Sequence, residues 1–153
     1  MTQSRKSIYG ATLLEGMLYL SIAALIIIMS IKYYRTATAS KQSNDAMSIV
    51  QAIVSMADSM AMSTGSYSTG GLTTAAVDTM LPNNGTVPWG SGTVTLTASS
   101  NSYTVTLPGM PADVCTLFNA KLKGDTVHYS TSTACPSSGT VAFAYTYTNT
   151  GGF

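Results

Sequence analysis

The sequence predicts an α+β protein: a long N-terminal helix, hydrophobic in its first half and amphipathic in its second, packed on an antiparallel-sheet head with a short extra helix. Three observations predict it. No proline interrupts residues 11–64, where apolar side chains run first continuously and then at three- and four-residue steps. Residues 93–98, 103–107 and 140–148 alternate polar and apolar side chains, as half-buried strands do. Between the second and third of these, Pro111 opens a stretch of helical periodicity.

The first helical half is Ala11–Ile31, ATLLEGMLYLSIAALIIIMSI, 21 residues with Glu15 as the one charged side chain. At 1.5 Å per residue it spans about 31 Å, and a bilayer's hydrocarbon core is about 30 Å thick. Arg5 and Lys6 precede it, and Lys32 and Arg35 follow it. With two basic residues on each flank, the charges alone leave orientation open; a short amino-terminal tail in the cytoplasm is the expected arrangement. A secretory signal has an apolar stretch of roughly 7–15 residues closed by a small-residue cleavage site. This run is longer, and no A-x-A precedes Lys32. A plain membrane anchor leaves Gly10 and Glu15 unexplained. An unpaired carboxylate at the bilayer centre costs roughly 2.5–3.5 kcal/mol on insertion scales, so it wants a cationic partner.

The second half carries apolar residues at Ala46, Ile49, Val50, Ile53, Ala57 and Met60, with Asn44, Asp45, Ser48, Gln51, Ser55 and Asp58 on much of the remaining circumference. Gly65 stands where such a helix stops. A helix from Ala11 to Thr64 is about 80 Å long, more than a core from this chain can cover. Its first half must meet lipid or neighbouring subunits, while the second packs one face on the head.

Residues 66–92 are rich in turn formers, with a short helix expected over Thr73–Met80. Thr93–Ala98 and Tyr103–Leu107 read as a hairpin across Ser99–Ser102. The helix that follows takes Pro111 as its first position and Val114, Leu117, Phe118 and Leu122 as its apolar stripe. Lys121, Lys123 and Gly124 mark its end. Thr126–Ser130 reads as a further strand, and Thr140–Thr148 as a strong one with Val141, Phe143, Tyr145 and Tyr147 on one face.

Composition narrows the function. Formal net charge is +1, and charged residues make up 8% of the chain, against roughly 25% in an ordinary soluble protein. Twenty Ser and 23 Thr take their place. This excludes a basic nucleic-acid-binding domain, a charge-rich coiled coil and an acidic disordered tail, so no nucleic-acid partner is expected. With one His and one Glu, and no phosphate-binding, dinucleotide or zinc signature, no catalytic residue, cofactor or metal site is expected. His128 reads as a surface or satisfied strand histidine, Trp89 as a core plug, and the nine methionines as adaptable packing material. Asn84-Gly85-Thr86 fits the glycosylation acceptor pattern but is given no weight. A chain segment beyond a membrane span lies on the oxidising side of a bacterial envelope, so Cys115 and Cys135 are expected to form a disulfide. Its loop of about 20 residues is worth roughly 3 kcal/mol in the chain-entropy model.

The segment RKSIYG-ATLLEGMLYLSIAALIIIMSI resembles the amino terminus of type IV prepilins: a short basic leader, a glycine, and a glutamate five residues later in an otherwise apolar helix. The resemblance implies cleavage between Gly10 and Ala11 by prepilin peptidase, which leaves a chain of 143 residues. It also implies an Ala11 amine, usually N-methylated in the family, that can meet Glu15 within its own helix, four residues on, or Glu15 of a neighbouring subunit, the contact that family precedent favours. The residues after Ile31 are similar to the lower half of the long pilin helix. Ala11 at the start and Lys32 in place of a helix-bending proline point to the type IVb group, whose members include bundle-forming and conjugative thin pili. Pro88-Trp89-Gly90 resembles a turn common in pilins. The positions of Cys115 and Cys135 resemble the bridge that ties a helix to the segment before the terminal strand in type IVb pilins.

The resemblance therefore implies four segments: leader 1–10, membrane and filament-core half-helix 11–31, amphipathic half-helix 32–64, and globular head 65–153. The expected function is that of a major structural subunit polymerised into a helical surface filament for adhesion, aggregation or conjugative contact. Its implied partners are copies of itself, prepilin peptidase, an inner-membrane assembly platform and, before assembly, the membrane. It would sit in the bacterial inner membrane as precursor and on the cell surface as filament. The alternatives are a secretion-system pseudopilin, a minor or tip pilin, and an anchored receptor-binding head that does not polymerise.

Overall fold

The computed structural model describes residues 12–69, 71–131 and 133–151 in full and, of residues 6–11, the helical backbone alone. The chain divides into two compact units, residues 1–38 and residues 39–153. Helix α1 (Lys6–Thr64) forms the described part of the first and opens the second.

In the first unit every side chain from Thr12 to Ala37 is exposed. The helix hides its own polar groups. Ser21 and Ser30 donate their hydroxyls to the carbonyls of Leu18 and Ile26, each at 2.8 Å, and Thr36 donates to Lys32 O at 3.1 Å. Such back-bonding satisfies hydroxyls where no water is at hand.

In the second unit, Ala46, Ile49, Val50, Ile53, Ala57 and Ala61 of α1 are buried in one stripe, as the three- and four-residue spacing predicts. Met60 is only partly buried, and Ala61 ends the stripe in its place. After Gly65, in the left-handed conformation at φ 76°, the chain reaches helix α2 (Thr74–Met80), capped by the Thr73 side chain on Ala76 N. The turn Pro82–Gly85 follows, with Asn83, Asn84 and Gly85 all at positive φ. A Cβ on Gly85 would lie 2.4 Å from Asp78 Oδ1, so glycine alone fits this close approach.

Four strands form one antiparallel sheet: β1 (Thr95–Ala98), β2 (Ser102–Pro111), β3 (Tyr129–Thr131) and β4 (Thr140–Thr148), in the order β1-β2-β4-β3. Leu96, Tyr103, Val105, Leu107, Phe143, Tyr145 and Tyr147 point inward and join the buried stripe of α1 in one core. Threonines take the alternate positions, and Thr104 and Thr146 share a hydrogen bond of 2.9 Å across β2 and β4. The free edge of β1 is occupied by a side chain. Thr74 Oγ1 accepts from Leu96 N at 3.0 Å and donates to Leu96 O at 3.2 Å, in place of a further strand. Helix α3 (Ala112–Leu122) sits between β2 and β3 in sequence, and the Cys115–Cys135 disulfide, Cα atoms 5.7 Å apart, ties it to the segment before β4.

Several boundaries differ from the sequence expectation. β2 runs on to Pro111 because a bulge at Pro108-Gly109, with Gly109 at φ 66°, lets pairing with β4 resume at Met110. Pro111 therefore ends a strand and stands at the N-cap of α3, one position before the helix starts. Cys115 takes the buried position expected for Leu117, which is exposed. Thr93 makes only an isolated bridge to Thr86, so β1 starts at Thr95. The strand expected over Thr126–Ser130 is β3, shifted to Tyr129–Thr131, because residues 126–128 turn about the Asp125 carboxylate. Trp89 is half-buried, its indole N–H donating to Pro108 O at 2.8 Å.

Two paired substitutions test this core. Tyr67 donates to Asp58 Oδ1 at 2.6 Å, whereas the buried Tyr145 hydroxyl has no hydrogen-bond partner among the described residues. Tyr67→Phe should cost about 1.5–3 kcal/mol, because its acceptor is charged. Tyr145→Phe should be neutral or stabilising, and thermal melts of the two variants check the contrast. Cys115→Ser should lower stability by roughly 3 kcal/mol; an unchanged melt under oxidising conditions would show the bridge to be dispensable.

Candidate functional site

The apolar half of α1 is the segment with most to explain. Leu14, Ile26, Ile28 and Met29 are exposed by 72%, 60%, 63% and 70%, values that belong to loops rather than to leucine and isoleucine. The span is long and apolar enough to cross a membrane. Glu15 lies among Leu13, Leu14, Met17 and Leu18, and among the described residues no cation is within ion-pair reach of it. Gly10 and Ala11, the expected processing pair, lie outside the residues whose side chains are described, as does any contact between the Ala11 nitrogen and Glu15. The backbone places both inside α1, with no break between leader and apolar run. A glutamate and the residue four positions before it share one face of a helix, which places positions 11 and 15 on the same side of α1.

At the other end of this span Lys32, Tyr33, Tyr34 and Arg35 stand together, the two tyrosines exposed by 79% and 72%. An aromatic and basic band at the end of an apolar run suits a membrane–water boundary.

In the head, three features escaped the sequence reading. The first is a cleft of about 400 Å³ between Asp45, Ser48 and Ile49 of α1 and Pro82, Asn83, Thr86, Val87 and Pro88 of the turn region. Nothing in the linear order of residues joins these two segments. The second is a hydrogen-bonded pair: His128 Nδ1 lies 2.9 Å from Asp125 Oδ2, and the imidazole stacks on Tyr147 with ring centroids 5.8 Å apart. The hydrogen bond from His128 holds the Asp125 carboxyl below its ordinary value of 3.8. The Asp-x-x-His spacing of Asp125 and His128 is the linear signal for this contact. The third is an aromatic cluster. Tyr67 meets Tyr103 edge-on at 5.1 Å, Tyr103 stacks on Tyr147 at 5.2 Å, and Phe118 meets Phe143 at 5.4 Å. Alternation in β2 and β4 predicts the ring positions but not that Tyr67 joins them.

Among the described residues no group of three or more His, Cys, Asp or Glu side chains is placed to hold a metal ion. The cysteines are consumed by their bridge. What remains chemically distinctive is the glutamate in an exposed apolar helix. No family model, no curated protein and no solved structure matches the chain.

The aromatic cluster sets an alkaline limit on the head. Burial pushes the Tyr103 and Tyr145 hydroxyls far above the ordinary tyrosine value of 10.0, and burial followed by the bond to Asp58 raises Tyr67. A phenol with a folded value above its unfolded one favours the fold fully below pH 10. That contribution is lost as pH rises past the unfolded value. The head should keep its melting temperature up to about pH 10 and lose it steeply above. Ultraviolet absorbance of phenolate should show the buried tyrosines ionising only together with unfolding.

Proposed function

We propose that the chain is a structural subunit of a type IV pilus: a membrane precursor, processed at Gly10–Ala11 and polymerised through its apolar helices into a surface filament. The observation that carries this reading is the run of exposed side chains from Thr12 to Ala37, apolar over most of its length, joined to a head that buries its own core completely. A plain membrane anchor would use such a helix but would gain nothing from Glu15. A bundle of identical helices gives the glutamate a use. In a staggered bundle the freed Ala11 amine of one subunit neutralises Glu15 of the next, and that pairing sets the axial register. Copies of the chain, prepilin peptidase, an inner-membrane assembly platform and the bilayer are the partners this reading requires. No nucleic acid is among them. The head's features agree with an extracellular subunit: one disulfide, an uncharged hydroxyl-rich sheet face and a covered sheet edge.

A pseudopilin shares the leader and helix; the Cys115–Cys135 bridge before the last strand favours the pilin. An anchored head that does not polymerise would remain a monomer in membranes and give no fibres.

Mass spectrometry of protein sheared from the cell surface should find a chain that begins at Ala11. A surface protein still beginning at Met1 removes the assignment. Glu15→Ala should insert and be processed normally yet yield few fibres, although the helix becomes more apolar. Fibre yield measured beside the membrane level of processed subunit checks this, and normal fibres would leave Glu15 without an assembly role.

A further inference from the structure

The band at Lys32–Arg35 carries more than the end of an apolar run. Two shallow grooves meet there and share Met29 and Tyr33. One, of about 470 Å³, runs between Met29, Ser30, Tyr33, Tyr34 and Ala37; the other, of about 280 Å³, lies between Met29, Lys32, Tyr33 and Thr36. Both have mainly apolar walls, and Lys32 lines the second. Tyr33 and Tyr34 project from adjacent positions, about 100° apart around the helix, so together they cover a wide sector of its circumference.

We propose that this band is a phospholipid-binding collar that fixes the depth of the helix in the bilayer and holds Glu15 at the opposite membrane surface. The proposal rests on the membrane-precursor reading and adds what sets the position. The occupant is phospholipid, with its phosphate at Lys32 and Arg35 and its upper acyl and glycerol carbons in the grooves against Met29 and Tyr33. The chemistry favours it over a protein partner. The grooves are open and shallow, the cations flank rings whose hydroxyls need a wet boundary, and the apolar run begins immediately below. Eighteen residues separate Tyr33 from Glu15. At 1.5 Å each this is about 27 Å, and a tilt of about 20° shortens it slightly. With Tyr33 at one boundary of a core about 30 Å thick, the carboxylate lies within a few ångströms of the other. Glu15 is then hydrated in the precursor. The cost of burying an unpaired charge at the bilayer centre does not arise there. The carboxylate loses water only when the helix leaves this depth.

Depth can be read directly on the full chain reconstituted in phosphatidylethanolamine–phosphatidylglycerol vesicles. Tryptophan introduced by Tyr33→Trp, Leu14→Trp or Ala24→Trp is quenched by nitroxide at the headgroup or bromine deep in the acyl chains. The chain without an introduced tryptophan, which carries Trp89 alone, supplies the background to subtract. The expected result is headgroup quenching for Tyr33→Trp and Leu14→Trp, and deep quenching for Ala24→Trp. Adding Tyr33→Ala with Tyr34→Ala to the Leu14→Trp chain should shift its quenching from shallow to deep. Deep quenching of Leu14→Trp in the otherwise native chain, or no shift on removing the tyrosines, would overturn the collar while leaving the membrane reading intact. Absence of quenching by either probe at all three positions would instead overturn the membrane reading itself.

Discussion

Apolar surface that the chain cannot cover with its own residues is the constraint on which everything else depends. Thirteen large side chains between Leu13 and Ile31 stand exposed on α1. Fully burying one such side chain contributes about 1.5–3 kcal/mol, so together they represent roughly 20–40 kcal/mol. A whole domain is stable by about 5–15 kcal/mol. No adjustment within the head offsets a mismatch of that size. The segment is long and apolar enough to cross a membrane, and cover by lipid or by other copies of the chain, as proposed above, would remove the mismatch.

The head shows the complementary solution. Its core takes small residues from α1, chiefly Ala46, Ala57 and Ala61, together with the large rings of β2 and β4. Its outer sheet positions are chiefly threonine and alanine rather than charges, and at the β1 edge Leu96 is engaged by the hydroxyl of Thr74. Edges and apolar patches are the usual routes to uncontrolled association. On the head the hydroxyl of Thr74 takes up one such edge, at β1, whereas the large side chains of the apolar half of α1 stand bare.

Much of this was legible in the sequence, for identifiable reasons. The helix and its change of character near Lys32 follow from local periodicity, which needs no tertiary information. So do the alternating strands Thr95–Ala98 and Thr140–Thr148. Punctuation misled where tertiary pairing overrode it. Pro108 and Gly109 read as a strand end, yet the bulge they form lets β2 continue to Pro111. Contacts between residues distant in sequence had no linear signal: Thr74 with Leu96, Asn44 with Lys121, the cleft beneath Pro82 and Pro88. Asp125 with His128 does have one, three residues apart in sequence, and the pair organises a turn. Glu15 was legible as an anomaly because its neighbours are so uniform.

The claim that residues 12–37 require cover is tested most directly by analytical ultracentrifugation of the full chain with and without detergent, beside a chain that begins at Ala39. The head alone should sediment as a monomer in plain buffer, since its core is complete within residues 39–153. The full chain should be monomeric only in detergent and should form large assemblies once detergent is removed. A full-length monomer stable in plain buffer would contradict the account at its root.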